Sequence, residues 1–294
     1  MNKTLMGYIF FIITAIIFGS NEVASKIALT GSGVDATHVN LAKFGIAALI
    51  LLPFMLNNFK QDNLTFKDHL HFAELGILVS ISLLALVESI SVLGSAALAS
   101  LIFSANPIFT VIFGHTIAKE KGGKYLWHAV ILGIVGIATI SAHKIIGVKH
   151  VDWWGLTLVL FAAIIFSLYS VLSKMKNHEV SKYTNIFFTF VWATITYLIV
   201  MLLRKEPIIV PAMYTNTKVL LALLWIGIVI TGIGYILYFK GMELAGVHRS
   251  TTVFFLKPVV AGTLAWLILG EHITWNMILG TVLVILSMYL LYKD

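Results

Sequence analysis

Five charged residues lie within long apolar runs of this sequence: Glu22, Lys26, Lys43, Glu88 and Lys257. On insertion scales a charge at the centre of a membrane span costs roughly 2.5–3.5 kcal/mol. A span with about 15 aliphatic and aromatic residues gains roughly 5–9 kcal/mol, so one charge per span is tolerated. Each of these charges should therefore face protein or water, where it can bind a charged group or a proton.

Lys257 is the strongest candidate, because it lies near the middle of its apolar run and directly precedes Pro258. Proline lacks an N–H and clashes with the carbonyl four residues back, which predicts a kink and a freed carbonyl near the lysine. We expect Lys257 to bind an anionic group of a substrate and Asn106 to hydrogen-bond it. The alternative is a purely structural ion pair of Lys257 with Glu22 or Glu88.

Glu22 precedes Lys26 by four residues, so the two share a helix face and can pair. Glu22 could also bind a cationic amine, or take up a proton if burial raises its affinity for one. Lys26, near the outer end of its run, could instead extend toward the membrane surface. Lys43 and Glu88 both fall in the outer third of their runs, and a structural pair between them is the favoured interpretation.

Polar and aromatic residues within other apolar runs complete the predicted substrate cavity. Each is individually more typical of helix packing or of the membrane interface than of a binding site. These cavity candidates are Asn21, Asn40, Ser89, Ser104, Tyr169, Trp192, Tyr235, Tyr238 and Trp266.

Composition limits the class of protein. Hydrophobic residues make up 59% of the 294 residues and charged residues only 11%, against roughly 25% charged residues in soluble domains. Cysteine is absent, which removes disulfides and cysteine metal sites. The basic residues fall in short connectors, so the net charge of +7 does not indicate nucleic-acid binding. The sequence predicts no metal site, no cofactor and no phosphate-binding loop.

The sequence predicts an all-α integral membrane protein. A span needs about 20 mostly apolar residues, and in lipid such runs must be helices because every backbone polar group has to be paired internally. The ten predicted spans cover residues 7–29, 36–56, 70–93, 95–117, 125–143, 153–174, 183–203, 217–240, 246–269 and 272–292.

An internal repeat divides the chain into halves of five spans each, residues 1–147 and 148–294. Residues 15–26 and 163–174 are identical at seven of twelve positions. Pro107 and Glu120 recur, 151 residues later, as Pro258 and Glu271. Because five is odd, the second half is predicted to be inverted in the membrane, which is a common plan of secondary transporters that bind substrate near the midplane.

Charge in the connectors predicts the orientation. With the three lysines inside spans set aside, a cytoplasmic N-terminus places twelve lysine and arginine residues inside and five outside. Both termini are therefore expected in the cytoplasm, and the predicted location is a bacterial inner membrane.

The chain resembles the EamA-type family of the drug/metabolite transporter superfamily. The resemblance covers all ten spans, the Phe-Gly-Ser-Asn stretch at 18–21, and the segment from Pro258 to Gly270-Glu271, followed by a closing helix with Gly280. It implies a central cavity lined by helices 1–4 and 6–9, with helices 5 and 10 at the periphery. Lys257 before the proline and the Lys119-Glu120-Lys121 stretch depart from the pattern.

We therefore predict a secondary active transporter, an exporter of a small polar or zwitterionic metabolite such as an amino acid. Alternating access would flex at Pro107 and Pro258. The alternatives are an exporter of lipophilic compounds, a membrane enzyme and a passive channel. The predicted partners are the metabolite and the lipid bilayer, without nucleic acid; proton coupling and homodimerisation are left open by the sequence.

Overall fold

The computed structural model describes residues 3–59, 62, 64–119, 125–145, 152–176, 180–245 and 251–293. The regular structure in these ranges is helical throughout. The α-helices are α1 (Lys3–Gly19), α2 (Asn21–Ala28), α3 (Ala36–Phe59), α4 (Phe66–Leu93), α5 (Ala96–Phe103), α6 (Asn106–Thr116), α7 (Leu126–Ile145), α8 (Trp153–Lys176), α9 (Lys182–Arg204), α10 (Ala212–Thr215), α11 (Thr217–Leu224), α12 (Gly234–Ala245), α13 (Thr251–Leu269) and α14 (Trp275–Lys293). A π-helical segment, Trp225–Ile233, joins α11 to α12.

Seven helical stretches are long and apolar enough to cross a membrane. They correspond to the predicted spans 1–4 and 6–8. Three shorter apolar helices, Trp127–Ile140, Leu256–Leu269 and Trp275–Leu290, fall where spans 5, 9 and 10 were predicted. The regular structure of the described residues is thus all-helical, and its apolar helices are those of a multi-pass membrane protein.

Three of the spans are not uniform α-helices. The first span, here called helix 1, comprises α1 and α2 and is interrupted between them at Ser20, whose hydroxyl donates to the carbonyl of Ile17 at 2.7 Å. Helices 4, 8, 9 and 10 likewise denote the predicted spans of those numbers. Helix 4 is interrupted at Ser104 and Ala105, and Pro107 follows in the first turn of α6. The eighth predicted span, which comprises α11 and α12, contains the π-helical segment between them. By contrast, α13 continues as one helix through Pro258.

Two very short connectors depend on glycine. Gly94, with a φ of 64°, ends α4 in the left-handed conformation, and Ser95 then caps the N-terminus of α5. Gly270, with a φ of 66°, follows α13 in the same way. Side chains with a Cβ rarely adopt this conformation, so the glycines allow antiparallel helices to follow one another within a few residues.

The central helices of the two halves pack against each other. First-half helix α4 contacts α8 and α9, α1 contacts α12 and α13, and α3 contacts α9 and the π-helical segment. Hydrogen bonds cross this junction: the Tyr197 hydroxyl donates to the Ser80 carbonyl at 2.7 Å, and Ser82 donates to the Ala162 carbonyl at 2.8 Å. The junction therefore lies among helices of both halves.

Helices α7 and α14 pack mainly on each other. A Cβ on Gly280 would lie 2.6 Å from the Gly136 carbonyl oxygen, and a Cβ on Gly133 would lie 2.0 Å from the Ile108 side chain. These glycines therefore permit close contacts between helices. Without a hydrophobic driving force in lipid, such backbone proximity supplies the packing contacts that hold helices together.

Candidate functional site

A buried ion pair joins the two halves of the chain. Glu22 lies in the first turn of α2, immediately after the interruption of helix 1, and its side chain is fully buried. Lys257 of α13 donates to its Oε1 at 3.2 Å. The ammonium also lies 5.0 Å from the centre of the Phe103 ring, a favourable cation–π distance. Opposite charges thus meet where α2, in the first span, contacts α13, in the ninth predicted span.

Lys43 of α3 lies beside this pair. It is 6% exposed and donates to Oδ1 of Asn21 at 2.8 Å. Since Asn21 and Glu22 are neighbours in the chain, two lysines from different helices converge on consecutive residues of α2. The predicted pair between Lys43 and Glu88 is wrong: Lys43 lies toward Asn21, and Glu88 is exposed. We call Asn21, Glu22, Lys43 and Lys257 the charged cluster.

Several buried oxygens lack a hydrogen-bond partner among the described residues. They include the second carboxylate oxygen of Glu22, Oε2, the side-chain carbonyl of Asn40 and the Ser104 hydroxyl. The amide nitrogen of Asn40 is satisfied, because it donates to the carbonyls of Ala36 and Leu83 at 3.0 Å each. Buried polar atoms are usually paired in proteins, so these acceptors are open to a ligand.

Asn106 lies next to the charged cluster through Phe103. Its amide nitrogen donates to the Phe103 carbonyl at 3.0 Å, on the residue whose ring faces Lys257. The interruption at Ser104 and Ala105 positions Asn106 at the start of α6, where its own carbonyl accepts a hydrogen bond from Ser167 at 2.8 Å. The structure thus brings the predicted partners Lys257 and Asn106 to the same aromatic residue.

The aromatic candidates lie in different environments. Tyr235 and Tyr238 pack on Phe18, which lies two residues before the interruption at Ser20. Their ring centres are 5.3 and 6.2 Å from that of Phe18. Tyr169 is buried, whereas Trp192 packs over Gly76 between α4 and α9. The prediction that Trp266 lines the central cavity is wrong, because it is 57% exposed and lines an open groove between α13 and α14.

A second polar cluster lies near one end of α2. Lys26 pairs with Glu271 at 2.8 Å and also donates to the Gly94 carbonyl at 2.6 Å. Glu271 in turn accepts from the Ser95 hydroxyl at 2.7 Å and from the first backbone N–H groups of α5. The expected pair of Glu22 with Lys26 is therefore not formed: Glu22 contacts Lys257, and Lys26 neither extends freely nor turns back to Glu22.

The hydrogen bonds determine the ionisation of Glu271, which lies between the apolar segments of helices 9 and 10. Burial alone raises the pKa of the Glu271 carboxyl, but hydrogen bonds from Lys26, Ser95 and the N–H groups of Ala97 and Ala96 outweigh it and hold the pKa below its ordinary value. The positive end of the α5 helix dipole acts in the same direction. Glu120, its repeat counterpart, lies outside the described residues.

Comparisons with known proteins agree with this architecture. The sequence profile of the EamA-like transporter family matches residues 5–142 and 153–293. An uncharacterized transporter of Clostridium kluyveri is 32% identical over 98% of this chain and 93% of its own length. The chain belongs to the EamA-like transporter family. The family match and the names of the relatives thus indicate a membrane transporter.

More distant relatives carry more specific names. A probable amino-acid metabolite efflux pump of Salmonella typhimurium is 24% identical over 66% of this chain and 67% of its own length. An S-adenosylmethionine uptake transporter of Rickettsia prowazekii is 22% identical over the whole chain and 96% of its own length. One solved crystal structure, 16% identical, superposes with a TM-score of 0.65 over 98% of this chain and 95% of that chain, which supports the fold alone.

Sequence reasoning missed Phe103, Ser95 and Glu271 as parts of polar clusters. The sequence does contain a signal for Glu271, because this acidic residue follows Gly270 at the end of one apolar run and Lys26 lies at the end of another. Nothing in the sequence joined the two, because they are 245 residues apart. Within the described ranges no group of three potential metal ligands occurs.

Proposed function

We propose that this protein is a secondary active transporter that exports a small polar or zwitterionic metabolite, such as an amino acid, by alternating access. The observation that carries the proposal is the buried Glu22–Lys257 pair, because ionised groups inside a membrane bundle commonly mark a substrate or ion pathway. The pair lies where helix 1 of the first half meets helix 9 of the second, the position that a midplane substrate site takes in repeat-built transporters.

The proposed architecture has ten spans in two inverted five-helix halves, residues 1–147 and 148–294, with both termini in the cytoplasm of a bacterium. The two separate family matches support the division into halves. The seven long and three shorter apolar helices support the number of spans. The excess of basic residues in the predicted inner connectors supports the orientation.

In the proposed transport cycle, the substrate carboxylate contacts Lys257, and the neighbouring Asn106 donates a hydrogen bond to it. A substrate ammonium is accepted by Oε2 of Glu22, which has no partner among the described residues. The interruption at Ser104 and Ala105, just before Pro107, is a hinge about which the halves rock. Pro258 is the corresponding hinge in α13, where the missing N–H weakens the helix.

Export is the proposed direction because a relative from Salmonella typhimurium is named as an efflux pump. The Rickettsia relative is named as an uptake transporter, so direction has to be measured. Right-side-out and inside-out membrane vesicles are therefore each incubated with the same labelled amino acid. Accumulation of the label in inside-out vesicles indicates export, and accumulation in right-side-out vesicles indicates uptake.

The test of the proposed function is counterflow of labelled amino acids into proteoliposomes that contain the purified protein. Saturable, substrate-dependent counterflow is expected for the wild type. Lys257→Ala is expected to reduce it by about 30-fold or more, because removing one partner of a buried charge pair costs roughly 2–5 kcal/mol. Lys218→Ala is the matched control, since Lys218 is exposed at the start of α11.

Two results would overturn the proposal. Non-saturable leakage without counterflow indicates a channel. Saturable transport of lipophilic cations alone, with Lys257→Ala equal to wild type, assigns the protein to the export of lipophilic compounds and gives Lys257 a purely structural role.

A further inference from the structure

The charged cluster contains more positive than negative charge. Among the described residues, four charged side chains are buried: Glu22, Lys43, Lys176 and Lys257. Lys176 pairs with Asp68 in another part of the molecule. The remaining three belong to the charged cluster and comprise two ammonium groups and one carboxylate, so one positive charge is not balanced by any described buried side chain.

The unbalanced charge is on the side of Lys43. Lys43 donates a hydrogen bond to a neutral amide oxygen, Oδ1 of Asn21, at 2.8 Å. A lysine ammonium carries three donors, and a neutral partner does not offset a buried charge. Lys257, by contrast, shares the Glu22 carboxylate at 3.2 Å. An anion reaching this cluster would therefore complete the environment of Lys43.

Two open acceptors have the opposite preference: one belongs to Glu22 of the cluster, and the other belongs to Asn40, which precedes Lys43 by three residues in α3. Glu22 Oε2 and the Asn40 carbonyl oxygen are buried and lack partners among the described residues, and both accept N–H donors. The two ammonium groups and one carboxylate of the cluster, together with the Asn40 carbonyl oxygen, complement a molecule that has two carboxylates and one ammonium. A zwitterion with a single carboxylate leaves the positive charge unbalanced.

We infer that the substrate of this site is an amino acid with two carboxylates and a net charge of −1. Lys43 and Lys257 each bind one carboxylate, and Glu22 binds the ammonium. The inference rests on the proposed function, because it assigns a substrate class to the same site. Aspartate and glutamate are the simplest members of this class, and their neutral amides, asparagine and glutamine, are matched in size and shape.

The test compares inhibition of counterflow by glutamate, glutamine and glutarate in proteoliposomes at pH 7. The wild type is expected to prefer glutamate over glutamine by about 30-fold or more, the ratio for one buried charge pair. In Lys43→Gln the cluster becomes neutral, so affinity for glutamate should fall while that for glutamine is retained. In Glu22→Gln the ammonium loses its partner, so glutarate should gain on glutamate.

Two controls keep structural damage apart from lost recognition. Lys43→Arg preserves the charge and should retain a preference for glutamate, whereas Lys218→Gln changes an exposed lysine and should change nothing. If Lys43→Gln does not fold, as judged by thermal unfolding, the ratio of glutamate to glutamine inhibition in the wild type and in Glu22→Gln still decides.

The outcomes also separate this inference from the proposed function. A wild-type preference for glutamine over glutamate, or equal loss of both in Lys43→Gln, overturns the dicarboxylate assignment while transport itself stands. Absence of counterflow with every amino acid overturns the proposed function, and the substrate assignment falls with it.

Discussion

Glu271 holds three chain segments together at the scale of single residues. Its carboxylate accepts hydrogen bonds from Lys26 of α2, from Ser95, and from the backbone of Ala96 and Ala97 at the start of α5. Glu271 itself belongs to the connector between helices 9 and 10. All of these donors favour the ionised carboxylate, so this connector is attached to the first half through a charge that must stay ionised.

This attachment predicts a pH-dependent contribution to stability. The Glu271 pKa is held below its ordinary value of 4.5 in the folded state, so its contribution is complete above pH 4.5 and is lost as the pH falls through the lowered pKa. Glu271→Gln should lower the Tm of the detergent-purified protein at pH 7, and the difference from wild type should shrink as the pH falls below 4.5.

The control for this prediction is Glu74→Gln, since the Glu74 side chain is 55% exposed and its 3.2 Å contact with His71, three residues away on the same helix, is a surface pair that contributes little to stability. Its Tm should follow that of the wild type at every pH. A Tm difference for Glu271→Gln that stays constant between pH 7 and pH 3.5 would show that the amide disrupts packing and that the charge itself contributes nothing.

At the scale of helices, the contact of α7 with α14 depends on backbone proximity. The Gly136 and Gly280 positions face each other so closely that a Cβ on either would lie within 3.0 Å of a carbonyl oxygen of the other helix. A rigid backbone cannot yield to a methyl group as a flexible side chain can. This pair of helices therefore tolerates no side chain at either position without separating.

Gly280→Ala is accordingly expected to destabilise the protein. Overpacking of this kind typically costs about 1–3 kcal/mol, and a lower Tm in detergent would reveal it. The matched control is Gly262→Ala in α13, where a Cβ would meet no atom within 4 Å. Replacing glycine by alanine in an open helical position gains up to about 1 kcal/mol, so equal destabilisation by the two variants contradicts the prediction.

The helices themselves were largely predictable from the sequence, but their interruptions were not. Apolar runs of span length lead to helices in lipid whatever their neighbours do, which is why the predicted and observed helices correspond. The interruption at Ser20 and the π-helical segment at Trp225–Ile233 carry no proline. Both lie at contacts with other helices: Gly227 and Gly232 lie against Ile46 and Ile50 of α3, and the Ser20 hydroxyl accepts a hydrogen bond from Trp225 at 2.9 Å.

At the scale of the whole molecule, composition identified the charges that matter but not their partners. Glu22 and Lys257 stood out because charge is costly in a membrane. Glu22 contacts Lys257 across 235 residues of sequence, and Lys26 contacts Glu271 across 245. Both contacts depend on how distant helices pack against each other. Local spacing favoured Glu22 with Lys26, but the Lys257 side chain is more buried than that of Lys26, and opposite charges attract each other more strongly where water is excluded.

The proposed orientation is the last property of the whole molecule that can be tested directly. It follows from the number of basic residues on each side, and it places exposed Lys67 in the cytoplasm and exposed Lys218 outside. The chain has no cysteine, so a single introduced cysteine gives an unambiguous signal. In intact cells a membrane-impermeant maleimide should label Lys218→Cys but not Lys67→Cys. Permeabilising the membrane should make both react, and the reverse pattern in intact cells inverts the topology.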